Sequence, residues 1–268
     1  MQQMSREKME KIPELARAPL VEAIFELRWE LEGNPQEGRL KDPAYPMLYG
    51  RLYERLQREF PVIEDLPSMQ VHPEVSPYVV RHRMRREVGG WPLIQVGPGV
   101  ITVNEGKGYG WRRFSRAIGA AVQGIIDLYP KSAALRFGTC DLRYINGFLF
   151  DPATESPVDF LREKLHIGVE VTPEIFELND ASRKARGASI SLAYPLSSPS
   201  GHLLLNTGMG QVEGRSALIV QTAVQSAGEA VPQDSERLEA WLAQAHGVAV
   251  NCFASLCKGE LMRSFTAR

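Results

Sequence analysis

Three cysteines in 268 residues are too few for a disulfide framework, and such scarcity suits a reducing compartment. No charge of one sign prevails. The 31 Lys and Arg stand against 32 Asp and Glu, a net charge of −1, which argues against a basic coat for nucleic acid and against an acidic tail. No apolar stretch approaches the ~20 residues that cross a bilayer, the longest being 117–126. The charged start, 1–11, carries no apolar segment of the secretory type. A cytoplasmic protein without a membrane anchor is expected.

Signatures of metal binding and catalysis are also missing. The five histidines, His72, His82, His166, His202 and His246, are scattered, with no H-E-x-x-H or C-x-x-C companion. Cys252 and Cys257, five apart on a helix, point about 140° apart. The run Gly187-Ala188-Ser189-Ile190-Ser191 is a strand pattern and not a nucleophile elbow. The Gly-rich segment 104–111 precedes a helix but matches neither nucleotide-binding glycine motif. No catalytic residue, metal site or cofactor is indicated.

What is present is periodicity. Val21, Ala23, Phe25, Leu27 and Trp29 are apolar on alternate positions, while Glu22, Glu26 and Arg28 occupy the other parity, so 21–29 is a strand with one dry face. Gly33-Asn34-Pro35 ends it. Asp42-Pro43 opens a helix, with Leu48, Leu52, Leu56 and Phe60 at steps of four. Strands are expected over 69–86, 92–96 and 100–104, the last two joined at Gly97-Pro98-Gly99. A helix over 111–128 follows and stops at Pro130.

The second half repeats this order. A strand spans about 135–150, and Ser156-Pro157-Val158-Asp159 makes a capping-box start to a short helix. Strands at 187–195, 201–207 and 215–226 lead to a long helix from Asp234, about 30 residues and ~45 Å if continuous. Glu26-Leu27-Arg28-Trp29 matches Asp141-Leu142-Arg143-Tyr144 at the opening strand of each half, about 115 residues apart. The expected fold is α+β: an antiparallel sheet with helices on one face, from an internal duplication of a β-α-β-β-β-α unit of TATA-binding-protein-like or helix-grip type. The expected divisions are a polar arm (1–17), a first half (18–131) and a second half (132–268).

Four segments carry a resemblance. They are Ala18-Pro19-Leu20-Val21-Glu22-Ala23-Ile24-Phe25-Glu26-Leu27-Arg28, then Ile94 to Asn104 around Gly97-Pro98-Gly99, then Tyr109-Gly110-Trp111-Arg112-Arg113-Phe114, and Leu142-Arg143-Tyr144-Ile145-Asn146. In this order they resemble a sporadically distributed, uncharacterised prokaryotic family with a P-L-V-E-A-x-F-E-L-R start. The resemblance brings no activity or site residues. Its patchy distribution implies horizontally moved genes, such as defence or toxin–antitoxin systems.

Two clusters stand out. Glu26, Arg28, Asp141 and Arg143 lie off the apolar parity of the opening strands; if those strands pair, Glu26 faces Arg143 and Asp141 faces Arg28, either as register-fixing pairs or as the polar groups of a pocket. Arg81, Arg83 and Arg85, with Lys107, Arg112 and Arg113, are candidates for an anion or phosphate site, against the alternative of a solvated edge strand. Nucleic acid is not favoured, because the net charge is near zero and no nucleic-acid motif is present. The expected function is a non-enzymatic binding or interaction protein that takes a protein partner or a second copy of itself. The alternative is a small-ligand or nucleotide-binding protein, an enzyme among the options, with its pocket between the sheet and the C-terminal helix.

Overall fold

The computed structural model describes residues 15, 18–34, 39–71, 76–130, 135–179 and 181–266. Apart from Leu15, the expected polar arm over 1–17 lies outside the described residues. Among the described residues eleven strands form in chain order: β1 (Leu20–Trp29), β2 (Glu32–Asn34), β3 (Arg39–Lys41), β4 (Val62–Asp65), β5 (His82–Arg85), β6 (Leu93–Gly97), β7 (Val100–Glu105), β8 (Phe137–Leu149), β9 (Ile190–Ser197), β10 (Ser200–Val212) and β11 (Arg215–Ala227). The helices are α1 (Tyr45–Leu56), α2 (Trp111–Leu128), α3 (Pro157–Lys164), α4 (Glu174–Leu178), α5 (Ser235–Leu256) and α6 (Glu260–Thr266).

The fold is α+β. Nine strands form one antiparallel sheet in the order β4-β5-β6-β7-β1-β8-β11-β10-β9, and β2-β3 is a separate small hairpin. The order unfolds outward from the β1–β8 pair: β7, β6 and β5 flank β1, as β11, β10 and β9 flank β8. Each opening strand therefore pairs with the last strand of its own half. The sheet runs unbroken across the boundary between 131 and 132.

Parity decides which side is dry. Ala23, Phe25, Leu27 and Trp29 of β1 and Cys140 and Leu142 of β8 are fully or almost fully buried in one core with Leu48 and Leu52 of α1, Phe114 and Ile118 of α2, and Trp241 and Leu242 of α5. Each large apolar side chain so buried contributes roughly 1.5–3 kcal/mol. A second cluster joins Phe148, Leu218 and Val220 to Phe160 and Leu161 of α3 and to Phe253 and Phe265 of the last two helices. Both clusters use the same strand parity, so these helices cover one face of the sheet and the opposite parity faces away from them.

The local signals explain most boundaries. Tyr129, just before Pro130, turns extended (ψ 119) and closes α2, because proline disfavours a helical residue before it. Asp234 accepts a hydrogen bond from the Arg237 amide at 2.8 Å and caps α5. Trp241 Nε1 donates to Ser226 Oγ at 2.8 Å, tying α5 to β11. Asp42 is more than a helix start. Its two oxygens accept from the Ala44 amide (3.2 Å), Trp29 Nε1 (2.9 Å), the Gly99 amide (3.2 Å) and Tyr129 OH (3.2 Å). One buried side chain thus joins α1, β1, the β6–β7 turn and the end of α2.

Several expectations are corrected. The stretch 69–86 is a strand only at His82–Arg85; Pro67 opens a 3₁₀ turn at 67–70, and β4 supplies an edge strand that the pattern did not mark. Ser156 stands at the N-cap of α3, but its side chain makes no capping bond, so the capping box is not formed. The terminal helix is not a continuous rod. α5 has 22 residues, ~33 Å at 1.5 Å per residue, and the chain turns at Gly259 with φ +86. That turn brings Phe265 of α6 to 6.1 Å from Phe148 and 6.2 Å from Phe253 between ring centres.

Replacing Asp42 by Ala leaves four donors short of their acceptor. Asp42→Ala is expected to lower the unfolding free energy by about 3–5 kcal/mol and Asp42→Asn by about 1–2 kcal/mol, measured by urea denaturation; equal, small losses in both variants would contradict this role.

Candidate functional site

The face turned away from the helices carries the charged residues. Glu26 pairs directly with Asp141 across β1 and β8, while Ile24 stands opposite Arg143 and Arg28 opposite Thr139. The expected cross-strand ion pairs are therefore corrected by one same-face step. Carboxyl stands beside carboxyl, and each arginine satisfies the acid two residues away on its own strand. Arg28 Nε donates to Glu26 Oε1 at 2.7 Å, and Arg143 Nε donates to Asp141 Oδ1 at 3.2 Å. Two acids side by side on neighbouring strands repel each other, so the arginines hold the register neutral.

From this centre a polar row crosses the sheet at one height. Each residue pairs with the next across the strands: Glu64, Arg83, Gln95, Thr102, Glu26, Asp141, Gln225, His202. The half toward β4 is bonded within itself. Arg83 Nη1 donates to Glu64 Oε2 (3.1 Å), Gln95 Nε2 to Thr102 Oγ1 (3.2 Å) and Asn104 Oδ1 (3.2 Å), and Asn104 Nδ2 to Glu22 Oε1 (2.8 Å). The other half differs. Among the described residues, no side-chain hydrogen bond engages Gln225 or His202, which are half-buried and exposed.

Asp141 is the most buried acid of the row, with 4% of its side chain accessible. Burial pushes its carboxyl from the ordinary 3.8 up to about 6; Arg143 opposes the shift and the neighbouring Glu26 adds to it. A carboxyl whose folded pKa is raised favours folding in its protonated form.

The basic candidates do not converge. Arg81 is buried and one of its Nη donates to the Val71 carbonyl. Arg83 and Arg85 share Glu64, with Arg85 Nε at 2.9 Å from Oε1. Arg113 is ion-paired with the fully buried Glu105, its Nε 3.2 Å from Oε2. Lys107 and Arg112 are exposed. Three of the six cations are paired with carboxylates and Arg81 is buried against a carbonyl, so no bare cationic cluster for a phosphate forms among the described residues.

A cavity of about 410 Å³ does lie between the sheet and α5. None of Glu26, Arg28, Asp141 and Arg143 lines it, because their parity points to the other face. Its polar lining is Tyr109, Tyr144, Asn146 and His246, and its apolar lining includes Leu20, Ala249, Val250 and Phe253. Tyr109 OH lies 3.0 Å from Tyr144 OH, which lies 2.8 Å from His246 Nδ1. The Trp111 indole stacks on the His246 ring at 3.8 Å and 8°. Burial lowers His246 to about 4 and raises both tyrosines above their usual value. Tyr144 and Asn146 share the apolar parity of β8, and His246 lies beside the α5 stripe. The strand and helix patterns thus carried the signal, but nothing in one dimension brings β8, the α2 entrance and α5 together.

No protein-family model and no curated protein matches the chain. Among solved structures it is similar to Methanococcus jannaschii TBP, at 12% sequence identity over 86% of this chain and 98% of that one, with a TM-score of 0.22, an overlap too loose to carry an argument. Among the described residues no group of three or more His, Cys, Asp or Glu is placed to hold a metal, and no helix is long and apolar enough to cross a membrane.

The Asp141 shift has a measurable consequence. Its stabilising contribution is complete below the ordinary carboxylate pKa and is lost as pH rises through about 6. Relative to Asp141→Asn, the native chain is expected to lose roughly 2 kcal/mol of stability between about pH 4 and about pH 7. Parallel stability–pH curves for the two proteins would show that Asp141 is not shifted.

Proposed function

We propose that the protein is a binding module whose recognition surface is the helix-free face of the sheet, and that its partner is a protein. One observation carries this reading: the polar row is bonded within itself on the β4 side but, among the described residues, presents Gln225 and His202 without side-chain partners beyond Asp141. Polar groups arranged in this way suit the hydrogen bonds of a protein interface.

Size and charge narrow the partner. Nine strands at ~4.8 Å make the face ~38 Å wide, a span on the scale of a standard interface of ~800 Å² per partner. Glu22, Glu26, Glu64 and Asp141 on the same face repel a phosphate backbone, and their arginine neighbours are already engaged. Half-buried apolar Ile24 and Leu204 alternate with the polar row one step along the strands. A mixed surface of that kind favours a protein with a complementary polar and apolar pattern over nucleic acid or lipid. The resemblance to a sporadically distributed family, with its defence or toxin–antitoxin expectation, directs the search to the products of neighbouring genes.

Affinity purification from the native host is expected to yield a stoichiometric partner. Gln225→Arg and Thr139→Arg on the helix-free face should remove it, and Glu239→Arg on the exposed side of α5 should retain it, with all three variants melting as the native chain does. A partner kept by both sheet variants, or a chain that purifies alone, would overturn the proposal.

A further inference from the structure

On the other side of the sheet, we infer that the cavity between β8 and α5 is a binding site for an uncharged, largely apolar small molecule bearing a carbonyl or hydroxyl oxygen. This goes beyond the partner surface and is independent of it, since the two sites lie on opposite faces.

The central observation is Asn146. It lines the cavity and is 5% exposed, yet among the described residues its side-chain amide has no hydrogen-bond partner. An amide at the wall of a largely apolar cavity can find its hydrogen bonds only in what enters that cavity, whether water or a ligand atom. Beside the apolar part of the lining, it is a polar anchor suited to a ligand atom that enters the cavity. An amide offers both N–H donors and a carbonyl acceptor, so it can receive either a ketone-type or a hydroxyl oxygen.

The second polar element is the chain Tyr109–Tyr144–His246. Its hydrogen bonds are 3.0 and 2.8 Å long, and the imidazole is clamped flat against Trp111. The order of donors along the chain can reverse, because a neutral imidazole donates or accepts at Nδ1 according to its tautomer. In one order Tyr109 OH is left with its proton free; in the other its lone pairs are free. The site thus accommodates an oxygen that accepts and one that donates, without rearranging a heavy atom.

Charge sets the class. Among the described residues no Asp, Glu, Lys or Arg lines the cavity, and burial keeps His246 neutral near neutral pH. An ionised ligand entering there gives up its water without meeting a countercharge, which is strongly unfavourable. Carboxylates, phosphates and nucleotides are therefore disfavoured, and Leu20, Val250 and Phe253 favour an apolar body. The volume of about 410 Å³ falls within the range of small-molecule pockets.

The test compares methyl hexyl ketone with octanoate, which has the same number of carbons but is ionised. At saturating concentration the ketone is expected to raise the melting temperature of the full chain by about 5 °C, and octanoate to leave it unchanged. Val250→Trp, which fills the cavity, should abolish the ketone's effect. Asn146→Leu should weaken ketone binding about tenfold while raising the melting temperature of the ligand-free protein, an opposite pair of changes that a merely structural asparagine would not produce. Equal stabilisation by octanoate, no response to the ketone, or an unchanged response in Val250→Trp would each overturn the site.

Discussion

The antiparallel pairing of β1 with β8 is the constraint on which the rest of the structure depends. It sets Phe25 against Leu142 and Leu27 against Cys140 on one side, and Glu26 against Asp141 on the other. Because side chains alternate along a strand, a slip of one residue would exchange the two sets and put carboxylates into the core. The hydrophobic parity therefore enforces the register. The register in turn forces two acids into contact, and Arg28 and Arg143 keep that contact tolerable from within their own strands. Outer strands then add to each side in the same order, and Asp42 closes the first half by tying four segments to one side chain.

This one pairing separates two kinds of chemistry. The helix side is dry, and polar groups there are held in local bonded sets such as Tyr109–Tyr144–His246. The other side is polar, and its groups are spread as a row across the strands. The same physical rule, alternation of side chains, thus places a largely apolar cavity on one side of the sheet and a polar row on the other. It also explains why charged residues on the opening strands and a pocket beneath the last helix cannot belong to the same site.

Much of this was legible in the chain itself where a period was long and clean. The 111–128 helix matches its stripe of Phe114, Ile118, Val122 and Ile125 residue for residue, and the strands at 20–29 and 137–149 follow their alternation. Short or irregular pieces were not legible. β4 is four residues on a sheet edge, the β2–β3 hairpin is three residues per strand, and the 69–86 stretch mixes prolines with apolar residues so that no period emerges. The break after α5 hides in a sequence that remains helix-compatible, because Gly259 acts through its backbone angle and Phe265 through a contact with a strand more than one hundred residues earlier.

The linear order of residues determined the α+β class, the dry parity of each long strand, the amphipathic helices and the neutral overall charge, all of which depend on neighbours a few positions apart. Only the tertiary structure decided which acid meets which across β1 and β8, that Arg83, Arg85 and Arg113 are already engaged, and that Tyr109, Tyr144, Asn146 and His246 line one cavity. Pairing register and the meeting of distant segments depend on how whole faces pack together. That competition among alternatives involves the entire sheet, and no local pattern of residues carries its outcome.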